Sequence, residues 1–117
     1  MRLHHVQLAI PPGSEPLCRE FYCGVLGWTE IPKPPALASR GGLWFEVGAH
    51  QVHLGVEQKF RPARKAHPAF AVADLDALVG RLDAAGVRTT FDDAIPGTRR
   101  FYAEDPVGNR LEFIAET

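Results

Sequence analysis

Apolar residues alternate with polar or small residues near the start of the chain. Val6, Leu8 and Ile10 fall on one side of this alternation, which has the period of two that is typical of a β-strand. A second segment near the middle of the chain, 66–73, also alternates, with Phe70 and Val72 on one side and small residues on the other. The pattern therefore predicts strands over 3–10 and 66–73.

A segment with helical periodicity follows each of these strands. In the first, Leu17, Phe21 and Val25 recur every four residues between Ser14, a candidate N-cap, and Gly27. The second begins after another N-cap residue, ends before a glycine and carries an apolar stripe. These residues are Asp74, Gly86 and the stripe Leu75, Leu78, Val79 and Leu82.

Each predicted helix is followed by a short strand, a loop rich in proline or glycine, and two strands joined by a turn. The short strands are predicted at 28–31 and 87–91. The paired strands are predicted at 43–47 with 51–57, around a turn at 48–50, and at 99–104 with 110–116, around a turn at 105–109.

The order of elements in the first half is thus repeated in the second half. Both halves read β-α-β-β-β, and both helices end at glycine, Gly27 and Gly86. Each half has an apolar face that its copy can cover, as expected for an internal duplication. We predict a single α+β domain, 1–117, made of modules 3–57 and 66–116 that form an open, barrel-like mixed sheet with the helices outside.

Four side chains able to bind a metal occupy equivalent places in the two modules. His5 and His67 lie on the first strand of each module, and His53 and Glu112 lie on the last, away from the face that the helix covers. A single histidine on a strand is more often structural, but joint occurrence at equivalent positions favours a shared metal site. These ligand types suit zinc, iron(II), nickel, cobalt or manganese.

Composition and charge narrow the range of partners. The chain has 117 residues, 45% hydrophobic and 23% charged, and a formal net charge of −1, which disfavours nucleic acids and anionic membranes. No segment resembles a signal peptide or a membrane span, so a cytoplasmic location is expected. Cys18 and Cys23 have neither redox nor zinc spacing and are predicted to be reduced. A small molecule is the expected partner.

Several motifs along the chain resemble those of the glyoxalase, bleomycin resistance protein and extradiol dioxygenase superfamily, also called the vicinal oxygen chelate superfamily. The resemblance extends over nearly the whole chain. It rests on LHHVQLAI at 3–10, FYCGVLG at 21–27, QVHL at 51–54, HPAFAV at 67–72 and DPVGNRLEF at 105–113.

The resemblance implies a divalent metal held by His5, His53, His67 and Glu112, and a homodimer in which the site can be shared between chains. It also implies lyase or isomerase chemistry in which Glu112 or His53 moves a proton. Glyoxalase I usually has glutamate at the position of His53. The trio without His53 resembles extradiol dioxygenases and fosfomycin-resistance enzymes, so dioxygenase chemistry is the alternative. A metal-free drug-binding protein, as in bleomycin resistance, is the non-enzymatic alternative.

The loops 32–42 and 92–100 are predicted to determine the substrate, because loops commonly rim a site carried by a sheet. The cations Arg40, Arg99 and Arg100 lie in or beside them, and an arginine can bind an anionic substrate through charge-assisted hydrogen bonds. The predicted substrate contacts are Lys33, Arg40, Trp44, Arg99 and Tyr102. Surface pairing is an equally reasonable role for each cation.

Overall fold

The computed structural model describes residues 1–116, which form eight strands and four helical segments. The first half contains β1 (His5–Ile10), α1 (Glu15–Arg19), a π-helix (Glu20–Val25), β2 (Thr29–Ile31), α2 (Pro35–Ala38), β3 (Leu43–Val47) and β4 (His50–Val56). The second half contains β5 (Ala69–Val72), α3 (Leu75–Ala84), β6 (Thr90–Phe91), β7 (Arg100–Glu104) and β8 (Arg110–Ala115).

The strands form two four-stranded mixed sheets with the same topology. Their orders are β1-β4-β3-β2 and β5-β8-β7-β6. In each sheet the first strand is parallel to the last, and the remaining pairs are antiparallel. The predicted α+β fold with two repeated modules is therefore confirmed; over residues 1–116 the strands form two separate sheets that do not close into a barrel.

The second helix follows its sequence pattern closely. Asp74 caps α3 by accepting a hydrogen bond of 3.0 Å from the Ala77 N–H, which satisfies one of the free donors at the helix start. Leu75, Leu78 and Leu82 are buried against the sheet. The helix therefore covers one face of β5–β8.

The first helix differs from the prediction in the face that it buries. The pattern placed Leu17, Phe21 and Val25 on one stripe, but Leu17 is 51% exposed. Cys18 and Tyr22 are fully buried instead, and Phe21 is nearly so. After α1 the chain continues as a π-helix, whose wider turn rotates later side chains relative to an α-helix. A stripe extrapolated at α-helical spacing is therefore wrong here.

The loop predicted to be irregular after β2 contains the short helix α2 and returns to the sheet through two glycines. Gly42 has φ +85° and lies against β4, where an added Cβ would come within 2.1 Å of the Leu54 carbonyl oxygen. Its N–H donates to Glu15 Oε2 at 3.0 Å. The close backbone approach therefore requires glycine at this position.

Polar contacts join the two modules. The Tyr22 hydroxyl donates to Asp105 Oδ2 at 2.7 Å, and Asn109 Nδ2 donates to the Ala9 carbonyl at 2.8 Å. The N–H of Ala63, in the connection between the modules, donates to Asn109 Oδ1 at 2.9 Å. The turn between β7 and β8 thus contacts the first helix, the end of β1 and the connection. Among residues 1–116, no helix has the length and apolar character needed to cross a membrane.

Candidate metal and substrate site

His5 and His53 stack against each other on the face of the first sheet opposite its helix. Their ring centroids are 4.0 Å apart with an interplanar angle of 14°. Trp44, opposite His53 on β3, stacks on the other side of the His53 ring at 4.0 Å and 6°. The neighbouring strands β1, β4 and β3 therefore present three stacked rings, with His53 in the middle.

This position makes His53 a neutral histidine at neutral pH. Its side chain is buried, and Nε2 donates to Gln51 Oε1 at 2.8 Å. Burial, followed by the nearby His5 and other cations, lowers the pKa of His53 to about 4. With Nε2 donating, Nδ1 carries the lone pair, which can accept a proton or bind a metal.

His67 and Glu112 form the second pair, on the equivalent face of the second sheet. His67 Nε2 lies 2.7 Å from Glu112 Oε1, and His67 Nδ1 lies 2.8 Å from the Lys65 carbonyl oxygen. Because a carbonyl oxygen only accepts, Nδ1 donates its proton there. Two lone pairs would then face each other at Nε2 and Oε1 unless a proton or a cation lies between them. Fixing Nδ1 in this way is also how proteins orient a metal-binding imidazole.

Arg100 also belongs to this second site, although the sequence placed it only among the loop cations and not among the predicted substrate contacts. Its guanidinium Nη1 lies 3.3 Å from Glu112 Oε2 and donates to the Tyr102 hydroxyl at 2.8 Å. Nη2 forms an ion pair of 3.1 Å with Asp92. Arg100 is buried and carries a positive charge, which in protein interiors is tolerated when it is paired, as it is here.

Within the described part of one chain, the two pairs do not combine into one centre. Among the residues that the structure describes, no three His, Cys, Asp or Glu side chains meet in an arrangement that could hold a metal. His5 begins β1 and His67 precedes β5, and both strands lie at an edge of their sheet. Each sheet thus carries half of the predicted ligand set beside a sheet edge.

The predicted substrate-contacting cations have other partners or face solvent. Lys33 donates to the Gly41 carbonyl within the loop between β2 and β3. Arg99 is exposed and pairs with Asp76 on α3 at 2.8 Å, away from Glu112. Arg40 is exposed in the first loop.

The two predicted aromatic contacts lie beside the candidate ligands. Trp44 stacks on His53, and the Tyr102 ring lies edge-on to His67 with centroids 5.4 Å apart. Register explains this placement, because Trp44 is paired with His53 and Tyr102 with Glu112 across their antiparallel strands. Side chains directly opposite on neighbouring strands share a face.

A cleft of about 680 Å³ lies between the first helix and the end of β7. Leu17, Phe21 and Val25 line one side, and Tyr102 and Arg110 line the other. None of the four candidate ligands lines it. Although its volume suits a small ligand, the cleft lies beside the candidate centre and does not contain it.

Comparison with known families gives one match along most of the chain. A sequence model described as Glyoxalase/Bleomycin resistance protein/Dioxygenase superfamily matches residues 2–113. No curated protein sequence matches the chain.

Solved structures agree with the family match. A Bacillus anthracis protein described as a glyoxalase family member is 45% identical, with a TM-score of 0.96 over 100% of this chain and 96% of its own. The fosfomycin resistance protein FosX from Listeria monocytogenes is 18% identical, with a TM-score of 0.80 over 100% and 94%. Lactoylglutathione lyase from Agrobacterium tumefaciens is 20% identical, with a TM-score of 0.70 over 94% and 91%. At identities of 18% and 20%, the similarity to the last two structures shows only that they share the fold of this chain.

Proposed function

The chain belongs to the glyoxalase/bleomycin resistance protein/dioxygenase superfamily, and from this premise we propose that it is a metal-dependent enzyme of lyase or isomerase type. Its substrate would be a small molecule with two neighbouring oxygen atoms. The metal would be a divalent ion such as zinc, iron(II), nickel, cobalt or manganese, since members of the superfamily commonly use divalent metals.

The observation that carries this proposal is the contact between His67 and Glu112. Nδ1 of His67 is committed to the Lys65 carbonyl, so Nε2 faces the Glu112 carboxylate with a site for a proton or a cation between them. A neutral imidazole and a carboxylate are ligands that divalent transition metals accept. The residues present therefore fit the metal that the family implies.

Completion of the ligand set is proposed to require a second copy of the chain. One copy would supply His5, with His53 as a fourth ligand or an acid/base group, and the other would supply His67 and Glu112. Two findings support this arrangement: no single chain gathers three ligands among residues 1–116, and the edge strands β1 and β5 carry or adjoin the two histidines His5 and His67. Pairing β1 of one copy with β5 of the other would also cover two sheet edges.

In the proposed reaction, a bound divalent metal would act as a Lewis acid and stabilise negative charge on the two substrate oxygens. The chain's own residues would bind the substrate and move its proton. With His5, His67 and Glu112 as the metal ligands, His53 suits this second task, because its imidazole is neutral at pH 7 and its one lone pair, on Nδ1, is then free to accept the proton. The Trp44 ring covers one face of this imidazole, which limits access of water to it.

The proposal is tested by rebuilding the protein from its metal-free form. Wild type, His67→Ala and His50→Ala are each loaded with iron(II), zinc, nickel and manganese, and the metal retained per chain is measured by elemental analysis. His50 is an exposed histidine at the start of β4, so its variant controls for adventitious binding. Wild type and His50→Ala should retain the metal, and His67→Ala should lose it. Equal retention by all three would contradict the metal site.

Activity then separates the reaction classes. The loaded proteins are assayed for turnover of the adduct of glutathione with methylglyoxal, and for oxygen uptake with catechols. Adduct turnover in the absence of oxygen uptake supports a lyase or isomerase. Oxygen uptake with catechols that occurs only in the iron(II)-loaded protein would contradict the lyase or isomerase and support a dioxygenase. Tight bleomycin binding without metal or turnover would favour a metal-free binding protein.

We also propose a cytoplasmic location and a small-molecule partner in place of nucleic acid or membrane. Cys18 and Cys23 are both free thiols, the first buried and the second half-buried. Free cysteines are usual in a reducing compartment. Retention of both thiols in protein isolated without added reductant would agree with this location. Fractionation of cells that express the chain tests the location directly.

A further inference from the structure

We propose that Arg100 is a positioning residue that holds Glu112 in the orientation needed to bind a metal through one oxygen. This inference rests on the proposed metal site. Arg100 is adjacent in sequence to Arg99, which the sequence predicted as a substrate contact. The two neighbouring arginines point to opposite sides of β7, so they provide a matched comparison.

The contacts divide the Glu112 carboxylate between two partners. Oε1 faces His67 at 2.7 Å, and Oε2 accepts from Arg100 Nη1 at 3.3 Å. Glu112 is 7% exposed, so water cannot readily replace either partner. With Oε2 engaged by a guanidinium, Oε1 is the oxygen left for a cation.

Arg100 is itself held in place by its other contacts. Nη1 also donates to the Tyr102 hydroxyl at 2.8 Å, and the guanidinium carbon lies 5.5 Å from the centre of the Tyr102 ring. Nη2 pairs with Asp92 at 3.1 Å. The Nε atom is buried without a partner, so its burial costs free energy that these other contacts must offset. Arg100 is thus fixed from three sides.

The ion pair with Asp92 balances the positive charge of Arg100. A guanidinium beside a divalent cation would repel it, and the repulsion would be strong in a site that excludes water. Asp92 balances the charge of Arg100 while leaving the hydrogen bond to Glu112 in place. Arg100 can therefore orient the carboxylate without adding a net positive charge to the site.

Asp92 also connects the site to the loop between β6 and β7. Its Oδ1 accepts from the Ala94 N–H at 2.8 Å as well as from Arg100, so one carboxylate fixes both the start of the loop and the guanidinium. A change in this loop would then reach Glu112 through two charged contacts. The sequence predicts that this loop, 92–100, helps to determine the substrate, and Arg100 connects it to the candidate ligand Glu112.

The experiment compares Arg100→Met with Arg99→Met and wild type in the full chain. The affinity for cobalt(II) and zinc is measured by competition with a chelator, and the cobalt(II) absorption spectrum reports the ligands around the metal. Arg100→Met should bind both metals about 10- to 100-fold more weakly and show an altered cobalt spectrum. Arg99→Met should match wild type in both.

A second variant keeps the test informative if Arg100→Met does not fold. Asp92→Asn removes the balancing charge from a half-buried loop residue and should weaken metal binding in the same direction. Thermal unfolding of each metal-free variant separates loss of stability from loss of affinity. Wild-type affinity and spectrum in a folded Arg100→Met, or in Asp92→Asn when Arg100→Met is unfolded, would overturn the positioning role alone. Failure of wild type itself to bind either metal would overturn the proposed function together with it.

Discussion

The Tyr22 hydroxyl of the first module donates a hydrogen bond of 2.7 Å to Asp105 Oδ2 of the second module. Both residues are buried, and Asp105 also accepts from the N–H groups of Val107 and Asn109 at 3.1 and 2.8 Å. The bond therefore links the first helix to the turn that precedes β8, the strand that carries Glu112. Its loss should loosen the junction between the modules.

Tyr22→Phe should lower the free energy of unfolding by about 1–3 kcal/mol, because a buried carboxylate loses a donor. Urea denaturation measures the change. A double-mutant cycle with Asp105→Ala, which removes the acceptor, isolates the contact from the other roles of the two residues. Strict additivity of the two single changes would show that the bond contributes nothing of its own.

Asp105 should also give stability a recognisable pH dependence. Burial raises its pKa above the ordinary 3.8, while the bonds from Tyr22 and Asn109 oppose the shift. The folded state therefore holds the proton more tightly than the unfolded chain. The resulting stabilisation is full below pH 3.8 and is lost as the pH rises through the folded-state pKa.

Denaturation of wild type and Asp105→Asn at a series of pH values checks this dependence. Asparagine does not titrate, so the stability of wild type relative to the variant should fall as the pH rises from below 3.8. A relative stability that grows with pH would mean that the hydrogen bonds outweigh burial.

Gly42 and Gly48 offer a test of the first loop. Both have positive φ, but an added Cβ would lie 2.1 Å from the Leu54 carbonyl oxygen at Gly42 and would meet nothing within 4 Å at Gly48. Gly48→Ala should cost about 1–2 kcal/mol, for the left-handed backbone alone. Gly42→Ala should cost more than about 3 kcal/mol, because strain and a clash add. Equal costs, measured by urea denaturation, would contradict the close approach.

His53 should titrate well below the ordinary pKa of a histidine side chain. Burial, followed by His5 and other nearby cations, lowers its pKa from 6.5 to about 4. Between these values the unfolded chain takes up a proton that the folded chain refuses, so stability should fall as the pH drops from 6.5 towards 4. NMR titration of the metal-free protein, with His53→Gln to assign the resonance, gives the midpoint directly. A midpoint at or above about 6 would remove the basis for a neutral, shielded imidazole.

Much of the fold could be predicted from the sequence because its signals are local. Alternation defined the strands, Asp74 and the leucine stripe defined α3, and the repeat placed His53 and Glu112 on equivalent strands. The buried face of the first helix was predicted wrongly, because a π-helix breaks the α-helical spacing on which the stripe around Leu17 was based. A four-residue pattern cannot reveal that change of pitch.

The site was harder to predict because it depends on strand faces and on contacts distant in sequence. Arg99 and Arg100 differ by one position, and that position decides whether the side chain meets Asp76 or Glu112. The strand boundary at β7 had to be known to within one residue to choose between them. The only available signal was the alternation of β7, where Arg100 shares the parity of Tyr102, and this parity would have selected Arg100.

If the metal site is shared between two copies, a mixed dimer of two defective variants should recover one intact site. His5→Ala and Glu112→Ala are purified separately, then unfolded and refolded together, and bound zinc is measured by elemental analysis. Each mixed dimer would contain one site with both residues intact. Random pairing should therefore restore about one quarter of wild-type occupancy, although neither variant retains zinc alone. No recovery in a preparation shown to contain mixed dimers, or a wild-type chain that binds zinc as a monomer, would contradict the shared site.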